Sequence, residues 1–423
     1  MLCGMNQKKL VLSKYTMGIG DRFAHQGEAQ LAAFVEAKKR GIDVVPVWNK
    51  SNREHGIVHT EPASVRSEAD AAVKALSWSG AYHVDADHIQ LATVDQYIGS
   101  SDFFTIDVAD SIGKAADQAD IDAFVQKHRD LIGEISIPDI EKPLAISEDD
   151  VKDIASKFLL AVREAGRIYR HIASKRDADS CAFEVSIDET DKPQTPVDML
   201  FILAAIADEG IPVQTVAPKF TGRFNKGVDY VGDVEAFTRE FEQDLAVIAY
   251  AVEAFGLPKN LKLSVHSGSD KFSIYEPIRR AIAKFDAGLH IKTAGTTWLE
   301  ELIGLAESGP SGLAIAKEVY ASAFERFDEL CAPYASVIDI DRSALPSPAT
   351  VNAWSGEQYA DAVRHVPDHA SFNPNVRQLL HVGYKVAAGM GDRYYASLEE
   401  NRETIARNVT ENILERHLLR VFR

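Results

Sequence analysis

The stretch AYHVDADHIQ, Ala81–Gln90, carries His83, Asp85, Asp87 and His88 within six positions. Imidazoles and carboxylates are the side chains that bind divalent ions and move protons near neutral pH. The runs flanking the stretch are apolar, so it reads as a strand, and a polar strand in a globular core is costly unless its groups are paired, solvated or bound to something. The same residue types recur where later apolar runs end: Glu184, Ser186 and Asp188 in CAFEVSIDE, Ser264 and His266 in LKLSVHSGSDK, and His290 and Lys292 in GLHIKTAGTT. A spacing of two along a strand places each set on one face. Earlier runs end in Asp21 and Arg22, in Asn49 and Lys50, and in Asp107; Lys219 ends IPVQTVAPKF.

His88, His266 and His290, with Glu184 or Asp87 nearby, offer ligands for one divalent ion. Zinc, manganese, nickel and cobalt all accept such a mixed set, whereas calcium prefers oxygen alone. There is no HExxH spacing, so separate strands must assemble the site. Each residue also has a plainer reading. A lone His on a strand serves equally as a hydrogen-bonded core residue, Asp107 suits a helix cap, and Lys271 in SGSDK suits a solvated loop. His83 and Asp85 lie earlier on their strand, which fits a structural role such as orienting a ligand imidazole.

Eight short apolar or β-branched runs alternate with amphipathic helices, a pattern that predicts a (β/α)8 TIM-like barrel. Such a barrel places functional residues at the C-terminal ends of its strands, where the residues above fall. An open doubly wound sheet is the alternative, but GIGDRF lacks the glycines and acidic partner of a nucleotide fingerprint and HSGSDKFS is not a phosphate loop. The expected organisation is a catalytic barrel over residues 1–308, with a helical insertion at about 111–178, and a mostly helical extension over 309–423. Thr195 and Pro196 read as a cap and first helical residue.

The chain has 423 residues and a formal net charge of -17, which argues against nucleic-acid or anionic-membrane partners but not against a small anion met by local cations. The loop KFTGRFNKGVDYVGD, with Lys219, Arg223 and Lys226, reads as a substrate-gripping loop over the barrel mouth. Cys3, Cys181 and Cys331 form no disulfide framework. No signal peptide or membrane span is evident, so a cytoplasmic protein is expected.

Taken in order, GIGDRF, YHVDADHI, FEVSIDE, APKFTGRFNKGVDYVGD, LSVHSGSDKFS and HIKTAGTTWLEE resemble the tagaturonate epimerase family of hexuronate catabolism, over nearly the whole chain. The resemblance implies metal-dependent interconversion of D-tagaturonate and D-fructuronate. It also implies Asp87 as an acid/base group beside the ligand His88, Glu184 as a second acid/base group or a metal ligand, and His266 and His290 as the other ligands. The inverted carbon 3 is β to the ketone at carbon 5, so its hydrogen is not acidified. A retro-aldol route meets this difficulty: the bond between carbons 3 and 4 breaks, the ketone fragment becomes a metal-stabilised enediolate, and re-addition follows on the other face of the aldehyde. Lys292, Lys271 and Lys226 are candidates for the uronate carboxylate, with Arg22 and Lys219 also at strand ends facing the substrate. The rivals are another metal-dependent sugar isomerase, ketose 4-epimerase or aldolase, and a non-catalytic sugar-acid binding protein. The helical tail could serve a homo-oligomer interface.

Overall fold

The computed structural model describes residues 9–190, 192–293 and 296–423. Eight parallel strands close into a barrel. In chain order they are β1 (Tyr15–Ile19), β2 (Val45–Ser51), β3 (His83–Ile89) and β4 (Phe103–Asp107), then, after a small antiparallel hairpin of β5 (Gly133–Ile135) and β6 (Leu144–Ile146), β7 (Ala182–Ser186), β8 (Val213–Ala217), β9 (Lys262–His266) and β10 (Leu289–Lys292). Each of the eight runs read from the sequence supplies one barrel strand.

The region expected as a helical insertion contains the hairpin and also the 28-residue helix Glu148–Lys175. That helix joins the neighbouring parallel strands β4 and β7, so it is the crossover helix of that β/α unit. Its N-terminus carries a reciprocal cap between Ser147 and Asp150. Thr195 makes the same cap with Asp198, and Pro196 follows as the first helical residue.

Strand alternation sorts the barrel residues into two environments. Met17, Trp48, Val84, Phe104, Val185, Leu263 and Ile291 face outward and join the main core formed with the helices. Facing inward, Leu12, Val47, Phe103 and Ala182 form a separate apolar plug at the floor. Above this plug the interior is polar. The strand register sets Thr16, His290 and Ser264 in one layer and Gly18, Lys292 and His266 in the next, nearer the mouth. A Cβ at Gly18 would come within 2.8 Å of Asn49 Nδ2 and 2.9 Å of Lys292 Cγ, so only glycine leaves room for the Lys292 stem there.

From Thr296 onward the chain is helical, including Thr296–Glu307, Pro310–Glu325, Pro374–Val382 and Arg402–Glu411, and a π-helical stretch, Asn412–Leu418. The first and fourth of these pack on each other, and Arg402–Glu411 also packs on the barrel helix Gly27–Lys39. A buried charged cluster fastens the extension to the loop after β9. Asp270 accepts from Arg377 Nη2 at 2.8 Å, and its carboxylate oxygens lie 2.9 Å from His365 Nδ1 and 3.0 Å from His417 Nε2. Among the described residues, no helix is long and apolar enough to cross a membrane.

Candidate active site at the barrel mouth

The β3 stretch that opened the sequence reading has an irregular backbone. Its register with β4 slips between Ala86 and Ile89, one extra residue lying on β3, and His88 sits at φ 54°. This is a β-bulge, a device that re-aims side chains near active sites. Strict alternation would send Asp87 and His88 to opposite faces; the bulge brings them together, with Asp87 Oδ1 2.9 Å from His88 Nδ1. A non-glycine residue in the left-handed region costs roughly 1–2 kcal/mol, and such strain concentrates at functional sites.

Across the barrel, His266 at the tip of β9 meets two carboxylates, with Nε2 2.8 Å from Glu184 Oε1 and Nδ1 3.1 Å from Asp188 Oδ2. Ser186 donates to the other oxygen of Asp188 at 2.6 Å. The His88 and His266 rings lie 5.1 Å apart between centroids. One donor atom each from His88, Asp188 and His266 lies within 4.8 Å of the others, a group able to hold a metal ion. Two imidazoles and a carboxylate suit a divalent transition ion. Glu184 Oε2 beside them is buried with no hydrogen-bond partner, an acceptor left over for a ligand or substrate.

His290 lies elsewhere. It is fully buried one layer deeper, its Nδ1 2.8 Å from Thr16 Oγ1, and it does not belong to that group of donors. Burial holds its imidazole far below the usual range, hence neutral. Asp188, which the sequence placed on the face of Glu184 but not among the candidate ligands, supplies the third donor of that group. Its signal was there in the alternation of FEVSID, but it lies beyond the end of β7, where a strand period alone does not fix direction.

Lys292 also departs from its expected place against a substrate carboxylate. Its ammonium lies 2.8 Å from Asp85 Oδ2, 2.8 Å from Asp87 Oδ1 and 3.3 Å from Glu184 Oε1, and it donates to Thr105 Oγ1 at 2.6 Å. Every donor it has is turned toward the protein. Burial disfavours its charge, but the three carboxylates outweigh that and hold it firmly protonated. In return, although burial opposes their ionisation, Lys292 and the neighbouring imidazoles keep Asp87 and Glu184 well below the usual carboxylate range. Asp85, where burial dominates over Lys292, rises to about 6. Asp85 also accepts from Thr105 N and Oγ1, and His83 Nδ1 lies 3.4 Å from Asp102. Among the described residues neither is bonded to His88 or His266, so what Asp85 supports is the Lys292 ammonium.

The other basic candidates divide. Arg22 is 8% exposed; its Nε donates to Glu54 Oε1 at 2.9 Å, its guanidinium lies 4.2 Å from the Tyr384 ring centroid, and its Nη1 is buried without a partner. Lys226 lies beside Gly268, whose φ is +65° and where a Cβ would come 3.0 Å from Nζ. Burial, then repulsion from Arg22 and Arg53, lowers the Lys226 ammonium, and Glu54 and Asp188 pull the other way. Lys271 is buried and spent on Val228 O, Ser269 Oγ and Asp270 O. Lys219 anchors its loop through a backbone N–H to Gln194, and among the described residues nothing ties its side chain to the site. Asp107 accepts from Ala109 N, the local capping role.

Comparison with known proteins agrees with this architecture. A curated tagaturonate/fructuronate epimerase of Thermotoga maritima is 28% identical over 418 residues, covering 95% of this chain and 80% of that protein. Crystal structures of the fructuronate-tagaturonate epimerase of Cohnella laeviribosi share the fold at 23% identity. The glycerol complex gives a TM-score of 0.80 and the native form 0.77, each covering 98% of this chain and 82% of theirs. The tagaturonate epimerase family model matches residues 5–421, which contain all the strands, loops and extension helices described above, and the chain belongs to that family.

Proposed function

We propose that the protein interconverts D-tagaturonate and D-fructuronate at the barrel mouth by cleaving and remaking the bond between carbons 3 and 4. The observation that supports this most directly is the juxtaposition of the His88, Asp188 and His266 donors with the ionised carboxylates Asp87 and Glu184, all on the C-terminal side of the barrel. His88, Asp188 and His266 would hold one divalent ion. When bound, that ion supplies Lewis-acid stabilisation of negative charge on the ketone oxygen.

The residues of the chain do the rest. Asp87 takes the proton from the carbon 3 hydroxyl; carbon 3 becomes an aldehyde, and the electrons of the broken bond pass to carbons 4 and 5 as an enediolate. The aldehyde turns, carbon 4 adds to its other face, and the proton taken by Asp87 returns to the new alkoxide by way of Glu184, with Lys292 touching both carboxylates, so that both end the cycle ionised. Lys292 keeps both carboxylates ionised between turnovers and holds Asp87 in place. Arg22 and Lys226 meet the uronate carboxylate, a role that the spare Nη1 of Arg22 and the Lys226 ammonium suit better than the fully bonded Lys292 or Lys271.

The test is turnover of D-tagaturonate by the purified protein before and after chelation, with the product identified by NMR in deuterated water. D-fructuronate formed only with metal, and without deuterium at carbon 3, is the expected result. Deuterium at carbon 3 would refute bond cleavage, and release of three-carbon fragments alone would make the protein an aldolase.

A further inference from the structure

The extension faces the cationic side of the mouth with groups that the barrel alone lacks. Tyr384 stacks on Arg22, and its hydroxyl lies 3.3 Å from that of Tyr334, over which Arg53 sits at 5.1 Å. Lys226 N donates to Val337 O at 2.7 Å, so the gripping loop is tied to the same region. Most telling is His381, on the helix Pro374–Val382. It is 2% exposed, its Nδ1 is buried without a hydrogen-bond partner, and its Cβ lies 3.4 Å from where a Cβ on Gly227 would sit.

Burial first, then the cations Arg22, Lys226, Arg377 and Lys271, hold the His381 imidazole well below its usual range, hence neutral. Two of these cations are satisfied. Arg377 donates to Gly227 O, Val363 O and Asp270, and Lys271 is held by the three acceptors already named. The other two keep donors to spare: Arg22, ion-paired through Nε to Glu54 at 2.9 Å, has an unpartnered Nη1, and among the described residues no hydrogen bond or ion pair holds the Lys226 ammonium. The unpartnered Arg22 Nη1 and His381 Nδ1 are buried polar atoms that cost free energy unless a ligand meets them, and the Lys226 ammonium, next to the Gly227 that faces His381, adds an attraction for an anion. A carboxylate can accept from the Arg22 guanidinium, the Lys226 ammonium and, in its Nδ1–H tautomer, the neutral His381 ring.

We infer that His381, supplied by the extension, is a specificity-determining residue that reads the carboxylate end of a sugar acid together with Arg22 and Lys226, and rejects the neutral ketose bearing a hydroxymethyl group there. The inference rests on the epimerase reading above.

The test uses the metal-loaded full chain and compares His381→Leu and His381→Gln with the parent. For D-tagaturonate, His381→Leu lowers kcat/KM roughly 10- to 100-fold, chiefly through KM, as expected for loss of one hydrogen bond to a charged group. For the neutral ketose, kcat/KM changes less than about threefold, while His381→Gln, which keeps a donor, recovers most of the acid activity. Equal losses on both substrates, or no loss, overturn the inference. Should His381→Leu fold poorly by thermal unfolding, the acid-to-ketose ratio of His381→Gln against Arg22→Met decides the matter. Calorimetric titration with D-tagaturonate separates the two levels. A parent that binds the acid without turning it over refutes the reaction, and the affinity of His381→Leu still tests the pocket. A parent that binds nothing refutes both.

Discussion

At the scale of single residues, the two groups whose surroundings contradict simple strand logic yield the sharpest expectations. His290 shares a strand face with Lys292, yet it is sealed one layer beneath the donor group, against Thr16. Replacing His88, Asp188 or His266 with Ala is therefore expected to abolish metal retention and activity together. His290→Gln should keep the metal stoichiometry of the parent, as measured by elemental analysis after dialysis. Among the described residues Lys292 alone is bonded to Asp85, Asp87 and Glu184 together. Removing one partner of a buried ionic cluster typically costs 3–5 kcal/mol, because the remaining charges are stranded. Lys292→Met should lose about that much in urea unfolding, and adding Asp85→Asn should restore part of it. If Lys292→Met instead kept full stability and lost only acid binding, the ammonium would belong to the substrate after all.

At the scale of elements, the bulge in β3 fixes the site's geometry. Asn tolerates left-handed backbone far better than a β-branched residue. Both His88→Asn and His88→Val remove the imidazole, but the Val variant should be the less stable by roughly 1–2 kcal/mol, read as a shift in denaturant midpoint. Equal stabilities would mean that the bulge relaxes. This element also marks where the sequence stops being legible. The eight strands could be read because parallel strands covered by helices appear as short apolar runs between amphipathic segments. Their polar tips stood out for the same reason, and Asp87, His88, Glu184 and His266 do converge. The bulge could not be read, since nothing in VDADHI announces one extra residue relative to a strand distant in sequence. Nor could the depth of His290 or the cage around Lys292, which depend on how far neighbouring strands are staggered. Asp188 was visible as part of an alternating face, but its use depends on the chain turning back beyond Ser186 toward His266.

At the scale of the whole molecule, the barrel and its extension are joined through Asp270. Burial opposes its ionisation, but Arg377 and the two histidines outweigh this and hold it well below the usual carboxylate range. A carboxyl whose folded value lies below its unfolded value adds stability that is fully present above the unfolded value, near 4, and is lost as pH falls through that region. At pH 7 Asp270→Asn should accordingly be less stable than the parent by several kcal/mol. The gap in unfolding free energy should narrow steadily as pH falls from about 5 toward 2. A gap independent of pH would show that the Asp270 charge does not fasten the extension.

The origin of the three candidate donors has a consequence for how the protein is made. His88, Asp188 and His266 come from the third strand, the turn after β7 and the tip of β9, so an unfolded chain brings no two of them together. An ion held by this trio would recognise the closed barrel and not the nascent polypeptide. At a free concentration of a hundred times its dissociation constant it would deepen the native well by about 2.7 kcal/mol. Ion capture would then follow ring closure during biogenesis, and starvation for the ion would lower the cellular abundance of the protein as well as its turnover.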